Sequence, residues 1–109
     1  MMVAKANFDE LRSIAFGSIS GSYAVVGSST TVYGRVITIT NNTEGDMLLT
    51  TDNSRDEMFI AAGSYKLYDI QANMNTHDDD KYVLPKGTQF YVKQLEAPTS
   101  GSVYIEIMY

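Results

Sequence analysis

The stretch "RVITITNNTEGDMLLTT", Arg35 to Thr51, decides the fold class. Ile37 and Ile39 alternate with Thr38 and Thr40. A period of two in β-branched residues describes a strand with one buried face. "NNTEGD" then clusters turn-forming residues around Gly45, and "MLLTT" has the composition of a returning strand. The spacing predicts a hairpin over Arg35–Thr51.

Outward from this stretch the same pattern recurs. "MFIAA" is a short strand, and Gly63 bends the chain into "SYKLYDIQA". Near the end, "TQFYVKQL" and "SVYIEIMY" alternate again, joined by the loop "EAPTSGS". On the other side, "AFGSISGSYAVVG" reads as two short strands around Ser20-Gly21-Ser22. About eight short strands at roughly ten-residue spacing predict an all-β fold, a single antiparallel β-sandwich of jelly-roll-like or immunoglobulin-like type. Residues 1–15 stand apart as an N-terminal arm or short helix, because Phe8, Leu11 and Ile14 fit one helical face. The sandwich is expected over residues 16–109. "AGSYKLYDIQ" and "KGTQFYVKQL" each place Gly before Ser or Thr and an aromatic-bearing strand. Gly63 and Gly87 are therefore expected at bends that need positive φ.

Composition narrows the function classes. The chain has 109 residues and no cysteine, so it suits one domain with neither disulfides nor thiolate metal ligands. A net charge of −5 with scattered Lys and Arg argues against nucleic-acid binding. No stretch has the roughly 20 apolar residues of a membrane-spanning helix. The start lacks the apolar core of a signal peptide, so export by that route is not expected. Asn41-Asn42-Thr43 has the form of a glycosylation acceptor and reads as a turn.

The chemistry-bearing residues do not gather into a recognisable site. His77, the one histidine, precedes Asp78, Asp79 and Asp80. Neighbours on an extended chain point in opposite directions, which leaves too few convergent ligands for a transition metal. The expectation is a solvated acidic loop, with an all-oxygen calcium site as its rival. Asp52 to Asp56 lacks the spacing of a calcium-binding helix–loop–helix. There is no nucleophile elbow, phosphate loop or dinucleotide fingerprint. Asp69, inside "YKLYDIQ", is expected at a strand end. No catalytic residue, cofactor or metal is assigned, and the chain is expected not to be an enzyme.

The C-terminal strand carries the interface expectation. Val103, Ile105, Ile107 and Tyr109 share one side and should face the core, whereas Tyr104, Glu106 and Met108 share the other. Eight tyrosines and six methionines suit protein contacts. Tyr104, Met108, Tyr109, Phe8 and Leu11 are the candidate interface residues.

The succession "RVITITNNTEGDMLLTTD", "DEMFIAAGSYKLYDIQAN" and "LPKGTQFYVKQLEAPTSGSVYIEIMY" resembles a group of small virion proteins of tailed bacteriophages. The resemblance spans roughly residues 23 to 109 and lies in strands and turns. It implies a many-copy virion subunit, of capsid-decoration (cement) or head–tail or tail accessory (adaptor) type, with no catalytic residues. The implied partners are major capsid, portal, neck or tail proteins, met as a homo-oligomer or symmetric array, with no nucleic acid or membrane. Such a chain would be made in the host cytoplasm and reside in the virion. Two other classes remain open: a carbohydrate-binding module for host attachment, through stacking tyrosines, and a small cupin-like enzyme. A single histidine is a poor ligand supply for the latter.

Overall fold

A computed structural model describes residues 7–70 and 83–109. The strands are β1 (Arg12–Ala15), β2 (Ala24–Val26), β3 (Val36–Thr43), β4 (Met47–Thr50), β5 (Met58–Ile60), β6 (Tyr65–Asp69), β7 (Phe90–Gln94) and β8 (Gly101–Met108). Among the described residues the helical content is one 3₁₀ turn, Phe16–Ser18. Two four-stranded antiparallel sheets have the orders β1-β8-β3-β6 and β2-β7-β4-β5. Strand pairs nest: β4 with β5 at the centre, then β3 with β6, β2 with β7, and β1 with β8. The chain is thus one long antiparallel ribbon wrapped into two layers, which is the jelly-roll arrangement of a β-sandwich.

Alternation fills the space between the sheets. Ile37, Ile39, Val103, Ile105 and Ile107 point inward from the first sheet, and Val26, Met47, Leu49, Ile60, Phe90 and Val92 from the second. All are nearly inaccessible to water. Burial of each side chain contributes about 1.5–3 kcal/mol.

The wrap corrects the hairpin expected over Arg35–Thr51. β3 pairs with β6 and β8, whereas β4 pairs with β5 and β7, so the chain crosses between sheets at 44–46. Asn41 and Thr43, expected in the turn, are buried at the end of β3. The Asn41 side-chain amide donates to the carbonyls of Gly45 (2.8 Å), Ile60 (3.1 Å) and Ala61 (3.3 Å). The Thr43 amide and hydroxyl donate back to Asn41 Oδ1 at 3.2 and 2.6 Å. This network satisfies backbone carbonyls that the crossing strips of strand partners. At Gly45 a Cβ would lie 2.4 Å from the Glu96 carbonyl oxygen. Glu44 ties the crossing to the loop before β8, accepting from the amides of Thr99 and Ser100 and from the Ser100 hydroxyl.

Residues 7–15 are extended, not helical. Arg12–Ala15 pairs with the edge of β8, and Phe8 bridges Met108. The sandwich therefore begins inside the segment expected as a separate arm. Between these two pairings, three residues of the arm, Asp9 to Leu11, face two of β8, Glu106 and Ile107. That bulge places Phe8 and Leu11 on the same side at a spacing of three, which imitates a helical face. Arg12 breaks the period-two signal further. It is buried, pairs with Asp9 at 3.0 Å and donates to the carbonyls of Ser28 (2.7 Å) and Glu10 (3.1 Å). The strand expected in "AFGSIS" is largely the 3₁₀ turn.

The bend glycines stand as expected. Gly63 and Gly87 have φ of 69° and 82° and precede β6 and β7. Gly101, which opens β8, is more constrained. Its φ is 89°, and a Cβ would lie 1.8 Å from the Asn42 carbonyl oxygen.

Candidate functional site

Side chains on the outer face of β1-β8-β3-β6 form rows fixed by the strand register. Ser13, Tyr104, Thr40 and Tyr65 make one row. Glu106, Thr38 and Leu67 make the next, and Met108, Val36 and Asp69 the third, with Phe8 beside Met108. Small threonines on β3 lie between larger side chains on β8 and β6. Phe8, Leu11, Tyr65 and Leu67 are 73%, 58%, 67% and 57% exposed. Among the described residues nothing covers this face. At its β1 side, Phe8, Asp9, Leu11, Glu106 and Ile107 line a groove of about 300 Å³.

The outer face of the second sheet is organised differently. Asp56, from the segment 51–57, is tied to Tyr23 and Lys93 there, while Val25 and Phe59 remain exposed. The Tyr23 hydroxyl donates to Asp56 Oδ1 at 2.5 Å, and Lys93 Nζ sits 3.0 Å from the same oxygen. Lys93 also lies over the Tyr23 ring, 4.7 Å from its centre. Burial pushes the Tyr23 phenol above its ordinary pKa, and the bond to Asp56 adds to this. The same bond, with Lys93, lowers the Asp56 carboxyl. Glu57 accepts from the Thr51 amide (2.7 Å), the Thr51 hydroxyl (2.8 Å) and the Thr50 hydroxyl (3.1 Å). These bonds, the Thr51 amide foremost, bring its pKa down to about 2. The carboxylates of 52–57 are thus engaged within the chain.

Of the candidate interface residues, Tyr104, Met108, Phe8 and Leu11 meet on the uncovered face. Tyr109 does not join the core row of Val103, Ile105 and Ile107, because the strand has left the sandwich where it stands. It is 38% exposed and lines a separate pocket of about 520 Å³ with Tyr33, Arg35 and Lys86. Its backbone exchanges hydrogen bonds with Asn7 at 3.1 and 2.8 Å. Asp69 ends β6 and is exposed, as its position in the sequence suggests. Tyr65, Leu67 and Val36 complete the face and were not singled out by sequence. Both sides of "SYKLYDIQ" carry apolar residues, so only pairing with β3 shows which side is outward.

His77 to Asp80 lie outside the described residues. Among the described residues no group of His, Cys, Asp and Glu is arranged to hold a metal ion. No helix there is long and apolar enough to cross a membrane. Comparison with protein-family models, with curated proteins and with solved structures finds no match.

Proposed function

We propose that this chain is a non-catalytic structural subunit of a bacteriophage virion. It is present in many copies and binds neighbouring capsid, head–tail or tail proteins in a decoration or adaptor role. The observation that carries the reading is the uncovered face with Phe8, Leu11, Tyr104, Met108, Tyr65 and Leu67 on rigid strands. Exposed apolar patches that are contiguous mark interaction sites rather than incidental surface. The motif order of the sequence points the same way.

The jelly-roll wrap serves capsid proteins, lectins and cupins alike, so the fold alone does not choose. Two features favour assembly over the alternatives. The space between the sheets, where a small barrel enzyme would keep its site, is filled by apolar side chains. Tyr33 and Tyr23 each give a ring face to a lysine, Lys86 at 5.0 Å and Lys93 at 4.7 Å, which is then not open for stacking on a sugar. On this reading the protein is made in the host cytoplasm and resides in the virion.

Cryo-electron microscopy of phage particles carrying the wild-type or the Leu67→Asp chain tests the proposal. The wild-type chain should occupy a symmetric, many-copy position, and the variant should be missing from it. Purified virions that contain no wild-type chain would end the reading.

A further inference from the structure

We propose that the uncovered face docks a different protein, one presenting a flat apolar surface with arginine or lysine opposite Glu106 and Asp69, and not a second copy of this chain. The inference rests on the reading of that face as an assembly surface.

Charge carries the argument. Apart from Glu106 and Asp69, the described outward residues of the three rows are apolar or uncharged, and none is a cation. Glu106 sits between Tyr104 and Met108 along β8, and across the sheet it faces Thr38 and then Leu67. Pressing this face on its own copy would dry these carboxylates against a surface that offers no opposite charge, an uncompensated burial. Arginine on a different partner would meet them with paired, charge-assisted hydrogen bonds.

The face is also small. Four strands about 4.8 Å apart, each some six residues long at about 3.3 Å per residue, make a face of about 400 Å². A stable specific interface takes roughly 800 Å² from each partner. A footprint of the face's size makes a small contact, and such a contact repeated around a symmetric particle gains from high effective concentration.

The test uses the full chain and three peptides of equal length, alternating Leu–Arg, Leu–Glu or Ser–Arg. Binding is followed by amide chemical shifts, and self-association by sedimentation velocity. The chain should sediment as a monomer. The Leu–Arg peptide alone should bind, with shifts centred on Thr38, Leu67 and Glu106. The double variant Glu106→Gln, Asp69→Asn should weaken it about tenfold, in keeping with lost charge-assisted bonds. Leu67→Ser should abolish binding, and Val25→Ser on the opposite face should leave it unchanged; circular dichroism confirms that each variant folds.

A dimer that Leu67→Ser dissolves would overturn the proposed partner while leaving the face as an assembly surface. Equal binding of the Leu–Glu peptide, insensitivity to the double variant, or no binding of any probe would also overturn the inference. Binding confined to another surface would overturn the assembly reading itself.

Discussion

Gly101 occupies a position that no other residue type can take without moving β3. Its left-handed backbone and the 1.8 Å approach of the Asn42 carbonyl to a Cβ act together. Gly63 shares only the first constraint, since a Cβ there meets open space. Gly101→Ala should therefore prevent folding or lower the melting temperature drastically. Gly63→Ala should cost about 1–2 kcal/mol, the strain of a left-handed residue with a side chain. Thermal melts of the two variants separate them, and equal melting temperatures would contradict the geometry. Sequence marks Gly63 and Gly87 by their repeated context, but Gly101 looks like any loop glycine; its constraint comes from a strand some sixty residues away. Two carboxylates set an acid limit. Hydrogen bonds from Thr99 and Ser100 hold the Glu44 pKa at about 2, and those from Thr51 and Thr50 do the same for Glu57. The unfolded chain, with ordinary carboxyls near 4.5, takes up these protons first as pH falls. Their contribution is thus complete above that value and is lost as pH drops towards 2. Melting temperature should fall across this window, and less steeply in Glu44→Gln and Glu57→Gln.

At the scale of elements, β8 is the central beam. It pairs with β1 on one side and β3 on the other, and Val103, Ile105 and Ile107 are buried. Ile105→Ala should cost about 2–5 kcal/mol, the loss of packing plus a cavity. Urea denaturation reads this directly, and a change below 1 kcal/mol would show that the neighbours collapse into the space. Alternation made β3, β7 and β8 legible in the sequence because each has one dry face. β1 was not legible, since a buried arginine stands where an apolar residue would continue the pattern and a bulge shifts Phe8 against Leu11. Nor was the assignment of strands to sheets. Local sequence describes β3 and β4 as neighbours in a hairpin, but the crossing depends on Asn41 finding carbonyls of Ile60 and Ala61, which no local pattern announces.

For the molecule as a whole, the two outer faces have different fates. One carries the link of Asp56 to Tyr23 and Lys93 and still exposes Val25 and Phe59; the other, among the described residues, has nothing over its row of apolar side chains. Half of the open face was readable from β8 alone, through Tyr104 and Met108. The half on β6 required knowledge of its partner strand. Tyr104→Ala should leave the unfolding free energy within about 0.5 kcal/mol of wild type, as for a surface position. On the proposed assembly role, the same change should reduce incorporation into particles, measured by quantitative mass spectrometry of purified virions. Removal of Ile107 to Tyr109 should lower both, because that end of β8 holds Phe8 and Asp9 as well as packing inward.

The nitrogen that closes the crossing between the sheets is also the atom to which a secretory host would attach an N-linked sugar, since Asn41-Asn42-Thr43 satisfies the acceptor rule. A buried Asn41 with its amide spent on three carbonyls has no room for a glycan. Sugar transfer and closure of the corner therefore exclude one another. A chain that folds before the transferase reaches it stays bare, and a chain modified first is held open. Secreted from such a host, the ratio of bare to glycosylated protein would time the crossing against the transferase.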